Sequence, residues 1–176
     1  MIFLVGYRGT GKTTVAGLLA EKLGWPWIDA DSLLEQAQGK TIREIFATEG
    51  EESFRDREEA ILHDLSKLSQ HVIATGGGVV LRATNRERLR AAGWVVWLTA
   101  DSETIQRRLQ GDATTWDRRP PLTTAPPHEE VAALLLVREP HYRSCAHVTV
   151  STVARSPDLV AAEIVAAWES RIAAPT

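Results

Sequence analysis

The chain has 176 residues, enough for one domain of about 150 with room for an inserted loop but not for a second core. Hydrophobic residues at 44% and charged residues at 24% lie near the globular average, which excludes a disordered or fibrous chain. A net charge of −3 argues weakly against a general nucleic-acid binder, and apolar stretches such as Trp94–Leu98 and Val131–Val137 fall well short of the ~20 residues of a membrane span.

Ile2–Val5 is a short apolar run that predicts a first strand, and Met1–Gly6 lacks the basic stretch of a signal peptide. Gly6–Gly11 is a glycine loop, and Lys12–Leu23 has helical periodicity stopped by Gly24. Trp27-Ile28 predicts a second short strand. Thr41-Ile42-Arg43-Glu44 has the spacing of a capping box and predicts a short helix to about Thr48, with a longer charged helix from Glu51 to Ser66. His71–Thr75 reads as the third strand and stops in Gly76-Gly77-Gly78. Thr84-Asn85-Arg86-Glu87 repeats the capping-box spacing before a helix that ends at Gly93.

Trp94–Leu98 is apolar throughout, as a strand buried on both faces should be. Asp101 is the expected cap of a helix ending near Gly111. Asp112 to Pro127 breaks the pattern with Pro120, Pro121, Pro126 and Pro127, and a loop of that length is functional or disordered. His128–Arg143 reads as helical, with Pro140 expected to kink or shorten it. Val148–Val150 is the last strand, and Ser156-Pro157 pairs an N-cap with a first-turn proline to open a helix to about Ile172. Strands alternating with helices predict an α/β chain: three layers, α/β/α, around a five-stranded parallel sheet.

Gly6-Tyr7-Arg8-Gly9-Thr10-Gly11-Lys12-Thr13 fits G-x-x-x-x-G-K-[ST]. The glycines let successive N–H groups converge on phosphates, Lys12 reaches the β- and γ-phosphates, and the Thr13 hydroxyl is placed for Mg²⁺. Asp29 and Asp31 follow the second strand, at the carboxyl end where ligands bind in open α/β sheets. One carboxylate could serve the metal's waters and the other could take a proton from an attacking hydroxyl, or Asp31 could simply cap a helix starting at Ser32. Arg55 and Glu58 lie one turn apart and could pair on the surface. Three glycines in a row are costly in backbone entropy, so a close approach of the Gly76–Gly78 backbone to a ligand is expected.

Arg118-Arg119-Pro120 lies in the long loop, where arginine suits a lid over a nucleotide. Arg138, with Tyr142 one turn on, is a candidate fork for a substrate carboxylate. Arg82, Arg86, Arg88 and Arg90 read as a solvated face. The single Cys145 excludes an intramolecular disulfide and fits a reducing compartment. Five histidines show no zinc-ligand spacing with it, so no structural metal is expected.

Taken together these residues resemble the shikimate kinase family, small members of the nucleoside-monophosphate-kinase-like group of P-loop NTPases with a lid. The resemblance rests on Gly6–Thr13, Asp29 and Asp31, the G-E-x-x-F-R-x-x-E block from Gly50 to Glu58, Gly76–Gly78, Arg119-Pro120, and Arg138 with Tyr142. It implies one kinase domain over 1–176, with a shikimate-binding region at about 31–60 and a lid at about 111–127. It implies transfer of the γ-phosphate of ATP to the 3-hydroxyl of shikimate. By this likeness Lys12, Asp31 and Arg119 are catalytic, and Asp31, Arg55, Gly76, Gly77, Gly78 and Arg138 bind shikimate. Gly9, Thr10, Gly11, Lys12, Thr13, Thr14 and Arg119 bind ATP, with Arg108, Arg155 and Pro157 at the adenine, and Thr13 and Asp29 serve Mg²⁺. The family's lid commonly continues Arg-Pro-Leu-Leu, whereas here it reads Arg119-Pro120-Pro121-Leu122, and either Arg118 or Arg119 reaches the phosphates. A monomeric cytoplasmic enzyme is expected. The alternatives are a gluconate or nucleoside-monophosphate kinase, or a regulatory module that binds nucleotide without turnover.

Overall fold

The structure, a computed structural model, describes residues 1–111 and 127–173. Its sheet is parallel and has the first strand at its middle. The first strand, β1 (Ile2–Val5), runs between β3 (Val72–Ala74) and β4 (Trp94–Thr99); β2 (Trp27–Asp29) is the edge beyond β3, and β5 (Val148–Ser151) the edge beyond β4. All four pairings are parallel, and Ile2 faces Val72 on one side and Trp94 on the other. The chain order therefore reverses at β1, and a crevice opens at its carboxyl end, where such sheets bind ligands.

Side chains alternate across a strand, so the unbroken run Ile2-Phe3-Leu4-Val5 serves two cores at once. Ile2 and Leu4 pack under Val15, Leu19 and Ile164, from helices α1 (Lys12–Leu23) and α7 (Pro157–Ala173). Phe3 and Val5 pack on the opposite face with Leu62, Leu89 and Tyr142, from α3 (Ile42–Leu65), α4 (Ala83–Ala92) and α6 (Pro127–Cys145). All four strand residues have no exposed surface, and each such burial is worth roughly 1.5–3 kcal/mol. The three-layer expectation holds among the described residues.

Local signals explain most boundaries. The Thr41 and Glu44 side chains each bond the other's backbone N–H, the expected capping box, and the two helices predicted from Thr41 to Ser66 both form, joined end to end across a kink. Their junction is Gly50, at φ 84 and ψ 174, a backbone state that glycine reaches without a Cβ penalty. Asp101 Oδ1 accepts from Thr104 N at 2.7 Å and caps α5 (Ser102–Gly111). Ser156 Oγ accepts from Leu159 N at the start of α7.

Four expectations are corrected. The helix after β2 is α2 (Ala30–Gln38), and its cap is Asp29, whose Oδ1 accepts from Asp31 N and Ser32 N; Asp31 lies inside the first turn. The second capping-box spacing does not cap: α4 already begins at Ala83, because a 3-10 turn at Val79–Leu81 delivers the chain into it, and Arg82 at the N-cap makes no side-chain bond there. The basic run is only in part a solvated face: Arg90 is exposed, but the others make contacts. Arg82 pairs with Glu52, Asp56 and Glu59 on α3, and Arg86 donates to the carbonyls of Val80 and Leu81. Pro140 neither stops nor shortens α6, which continues to Cys145. No helix among the described residues is long and apolar enough to cross a membrane.

Candidate active site

The loop between β1 and α1 is held in part by its own atoms. Lys12 Nζ donates to the carbonyls of Gly6 and Tyr7 at 2.8 and 2.9 Å, and Thr10 Oγ1 donates to Tyr7 O at 2.7 Å. Gly6 sits at φ +144, and a Cβ there would lie 2.4 Å from Leu98 O, so only glycine lets the loop press against the end of β4. Gly11 caps α1 in a left-handed conformation with no side-chain hydrogen bond, and the first turn carries no acidic residue. The N–H groups at that helix start are thus directed at an external anion, as phosphate binding requires.

Asp29 divides its two oxygens. Oδ1 caps α2, while Oδ2 accepts from Thr13 Oγ1 at 2.8 Å, which ties the end of β2 to the start of α1. A hydroxyl and a carboxylate side by side are the hard oxygen donors that suit Mg²⁺, which takes one or two protein ligands and fills its shell with water and phosphate oxygens. No group of three or more His, Cys, Asp or Glu forms a metal cluster among the described residues.

Beside this loop lies a small cleft lined by Arg8, Asp31, Arg55, Glu58, Gly76–Gly78 and Arg138, with Ile42, Phe46 and Phe54 as an apolar wall. Asp31, Arg55, Glu58 and Arg138 are all buried. Arg55 Nη1 donates to Glu58 Oε2 at 2.8 Å, and its Nη2 to Glu51 Oε1 at 2.9 Å. The Arg55–Glu58 pair is therefore an interior one, not the surface pair that one-turn spacing alone allows. Burial pushes the Glu58 carboxyl above its ordinary range, against the pull of Arg55 and Arg138. Arg138 Nη1 makes a long bond to Gly77 O at 3.4 Å, and the Tyr142 hydroxyl donates to the same carbonyl at 2.5 Å. Burial also raises the Tyr142 pKa, keeping that hydroxyl a donor.

The triple glycine has a sharper reason than approach to a ligand. A Cβ on Gly76 would lie 2.6 Å from Asp31 Oδ1 and 2.7 Å from Glu58 Oε1; one on Gly78 would lie 2.3 Å from Arg55 Nη1; one on Gly77 would lie 3.3 Å from Arg8 N. The cleft's own side chains and the phosphate loop occupy the space that side chains here would need.

Arg108 Nη1 donates to Gly9 O at 3.1 Å and to Thr152 Oγ1 at 2.9 Å, so it joins the phosphate loop to the segment after β5. Arg155 lies three residues on from Thr152, bonded to Ser151 O and paired with Glu163 at 2.5 Å, and Pro157 is exposed at the start of α7. Thr14 is exposed on the first turn of α1. Arg118, Arg119 and the expected lid lie outside the described residues, apart from the lid's ends at Gly111 and Pro127. Sequence reasoning missed Arg8 and the apolar wall. Arg8 occupies a position the phosphate motif leaves open, and Ile42 and Phe46 follow helical spacing that any core residue would share.

A phosphate loop at the switch point of a parallel sheet, opening onto a small cleft with buried arginines and a carboxylate, defines a P-loop kinase acting on a small anionic molecule. The comparisons narrow that class. The sequence profile of shikimate kinase matches residues 8–169, and the chain belongs to the shikimate kinase family. It is 48% identical over 171 residues to a shikimate kinase from Rhodopirellula baltica, covering 97% of this chain and 91% of that one. A shikimate kinase from Symbiobacterium thermophilum is 46% identical over 170 residues, 97% of each chain. The structure of a shikimate kinase from Acinetobacter baumannii in complex with shikimate matches with a TM-score of 0.92 at 39% identity, covering 98% of this chain and 94% of that one. The chain is accordingly an ATP-dependent kinase.

Proposed function

We propose that the chain moves the γ-phosphate of ATP to the 3-hydroxyl of shikimate, giving shikimate 3-phosphate and ADP in aromatic amino acid biosynthesis. The observation that carries this reading is the placement of buried Arg55 and Arg138 with Asp31 in one cleft at the mouth of the phosphate loop. Two guanidinium forks suit a ring carboxylate, and a carboxylate opposite them suits a hydroxyl. Gly76, Gly77 and Gly78 present backbone to the same space.

In this reading the N–H groups of Gly9–Thr14 receive the phosphates, and Lys12 draws charge from the transferring phosphoryl group. Asp31 orients the attacking hydroxyl and accepts its proton as the new P–O bond forms and the bond to ADP breaks. Arg55 and Arg138 hold the carboxylate so that the hydroxyl meets the phosphorus in line. Thr13 and Asp29 would hold Mg²⁺, which supplies charge neutralisation at the phosphates when bound. Arg119 joins Lys12 in stabilising that charge, by family resemblance. Arg108, Arg155 and Pro157 flank the adenine; the Arg108 bridge from Gly9 to Thr152 supports that placement. The enzyme is read as a cytoplasmic monomer, since one chain supplies the residues assigned to the site and its single thiol, Cys145, is buried and free.

The test is ADP release from Mg-ATP with shikimate, gluconate or a nucleoside monophosphate as acceptor, with Asp31→Asn as control. Turnover with shikimate alone, lost in the variant, is expected. Turnover with another acceptor discards the substrate, and nucleotide binding without any turnover discards the reaction.

A further inference from the structure

The phosphate motif specifies Gly6, Gly11, Lys12 and Thr13 and leaves the four residues between open. One of these four, Arg8, is only 8% exposed and lines the substrate cleft. Its backbone nitrogen is the nearest atom to a Cβ built on Gly77, so it stands at the joint of the phosphate loop and the glycine turn. From there its Nη2 donates to Glu130 Oε1 at 2.5 Å, with the two side chains 9% and 2% exposed. Glu130 is the fourth residue of α6, 122 positions downstream.

Three physical points give this pair a meaning beyond packing. Arg8 and Arg138 lie 5.7 and 5.6 Å from the centre of the same Tyr7 ring, so two like charges share one aromatic surface in a largely desolvated place. Glu130 supplies the counter-charge on the Arg8 side and fixes where that guanidinium stands. A buried ion pair adds little net stability, because the cost of desolvating both charges offsets their attraction, so a purely structural role is a weak explanation for it. Arg8 Nε is also buried without a hydrogen-bond partner among the described residues. Buried donors in folded proteins are normally satisfied, and on a side chain that lines the cleft the missing acceptor points to a ligand.

We propose that Glu130 is a positioning residue: it fixes Arg8 at the joint of the phosphate loop and the cleft, where Arg8 serves as a third donor to the anionic substrate beside Arg55 and Arg138. The inference rests on the shikimate reading above. It makes affinity for the acceptor depend on a residue that itself need not touch it, and it leaves the nucleotide side nearly indifferent.

Calorimetric titration with shikimate and, separately, with Mg-ATP tests this on the full chain, beside thermal melting. Glu130→Gln is expected to weaken shikimate at least tenfold and ATP less than twofold. The double variant Arg8→Met/Glu130→Leu replaces both charges by apolar groups of similar size. It is expected to melt no lower than the unaltered protein yet to remain at least tenfold weaker for shikimate. Shikimate affinity within threefold of normal in either folded variant overturns the proposal, as does a loss shared equally with ATP. If neither variant folds, the pair is structural and the proposal fails. An unaltered protein that binds ATP but not shikimate sinks the substrate reading itself, before any variant is compared.

Discussion

The phosphate loop occupies eight consecutive residues, Gly6–Thr13, whereas the cleft beside it draws on Asp31 from α2, Arg55 and Glu58 from α3, the turn after β3, and Arg138 from α6. The loop is tied internally, Lys12 to Gly6 and Tyr7 and Thr10 to Tyr7. The cleft is tied across the fold, Arg138 and Tyr142 to Gly77 and the Gly76 backbone against Asp31 and Glu58. Both handle anions. The loop uses backbone dipoles, which any chain in that conformation presents, so it suits a ligand shared by many enzymes. The cleft uses side chains whose relative positions the whole fold must set, so it can be particular to one acceptor.

The largest effect is expected where the loop's own tie is cut. Lys12→Ala removes both the charge on the phosphoryl group and the two carbonyl bonds that shape the loop. Steady-state ADP release should fall about a thousandfold, the scale of losing a preorganised transition-state donor. A loss of shikimate binding alone, with turnover near normal, would break the division of labour between the two regions.

Next comes the cleft's interior pair. Arg55→Met leaves the Glu58 carboxylate buried without its main partner, and chemical denaturation should register a loss of about 3–5 kcal/mol. Adding Glu58→Leu should restore most of that stability while shikimate turnover stays absent. Recovery of turnover would mean that the pair only supports the fold.

A smaller and more selective effect is expected for Gly76→Ala. The new Cβ must displace the Asp31 and Glu58 carboxylates, which it would meet at 2.6 and 2.7 Å. Misplacing a reacting group by such a step costs up to about a hundredfold. The loss should appear in kcat/KM for shikimate, with ATP affinity unchanged by calorimetry.

His147 belongs to neither region and provides the smallest effect. Its Nδ1 accepts from Val95 N at 3.0 Å, one step beyond the β4–β5 ladder, so the bond exists only in the neutral ring. Partial burial, then Arg90 and Arg171, hold its pKa below the ordinary 6.5. The folded chain thus binds fewer protons than the unfolded one, and stability is complete above 6.5 and declines as pH falls toward the lower folded value. Glu58, with its raised pKa, contributes a slope of opposite sign. Comparing melting temperatures of the unaltered protein and His147→Asn, whose Oδ1 can take the place of Nδ1, cancels the Glu58 slope. The variant should lose less stability between pH 7 and 5.5, with turnover at pH 7 unchanged.

The amino-acid sequence by itself determined the α/β order, the phosphate loop and the capping box at Thr41, because each depends on neighbours within a few residues: apolar runs, glycines at fixed offsets, a hydroxyl three residues from a carboxylate. It also placed Asp29, Asp31, Arg55, Gly76–Gly78 and Arg138 among the candidates. Only the tertiary structure decided that Asp29 is the cap and Asp31 is not, since helix geometry sets which oxygen meets which N–H. Only it turned Arg55 and Glu58 from a plausible surface pair into a buried one, and Arg82 from part of a solvated face into a clamp on α3. Arg8 and Glu130 carried no local signal at all. Burial and charge pairing are properties of what the fold brings alongside, and 122 residues of chain separate those two groups before the sheet closes the distance.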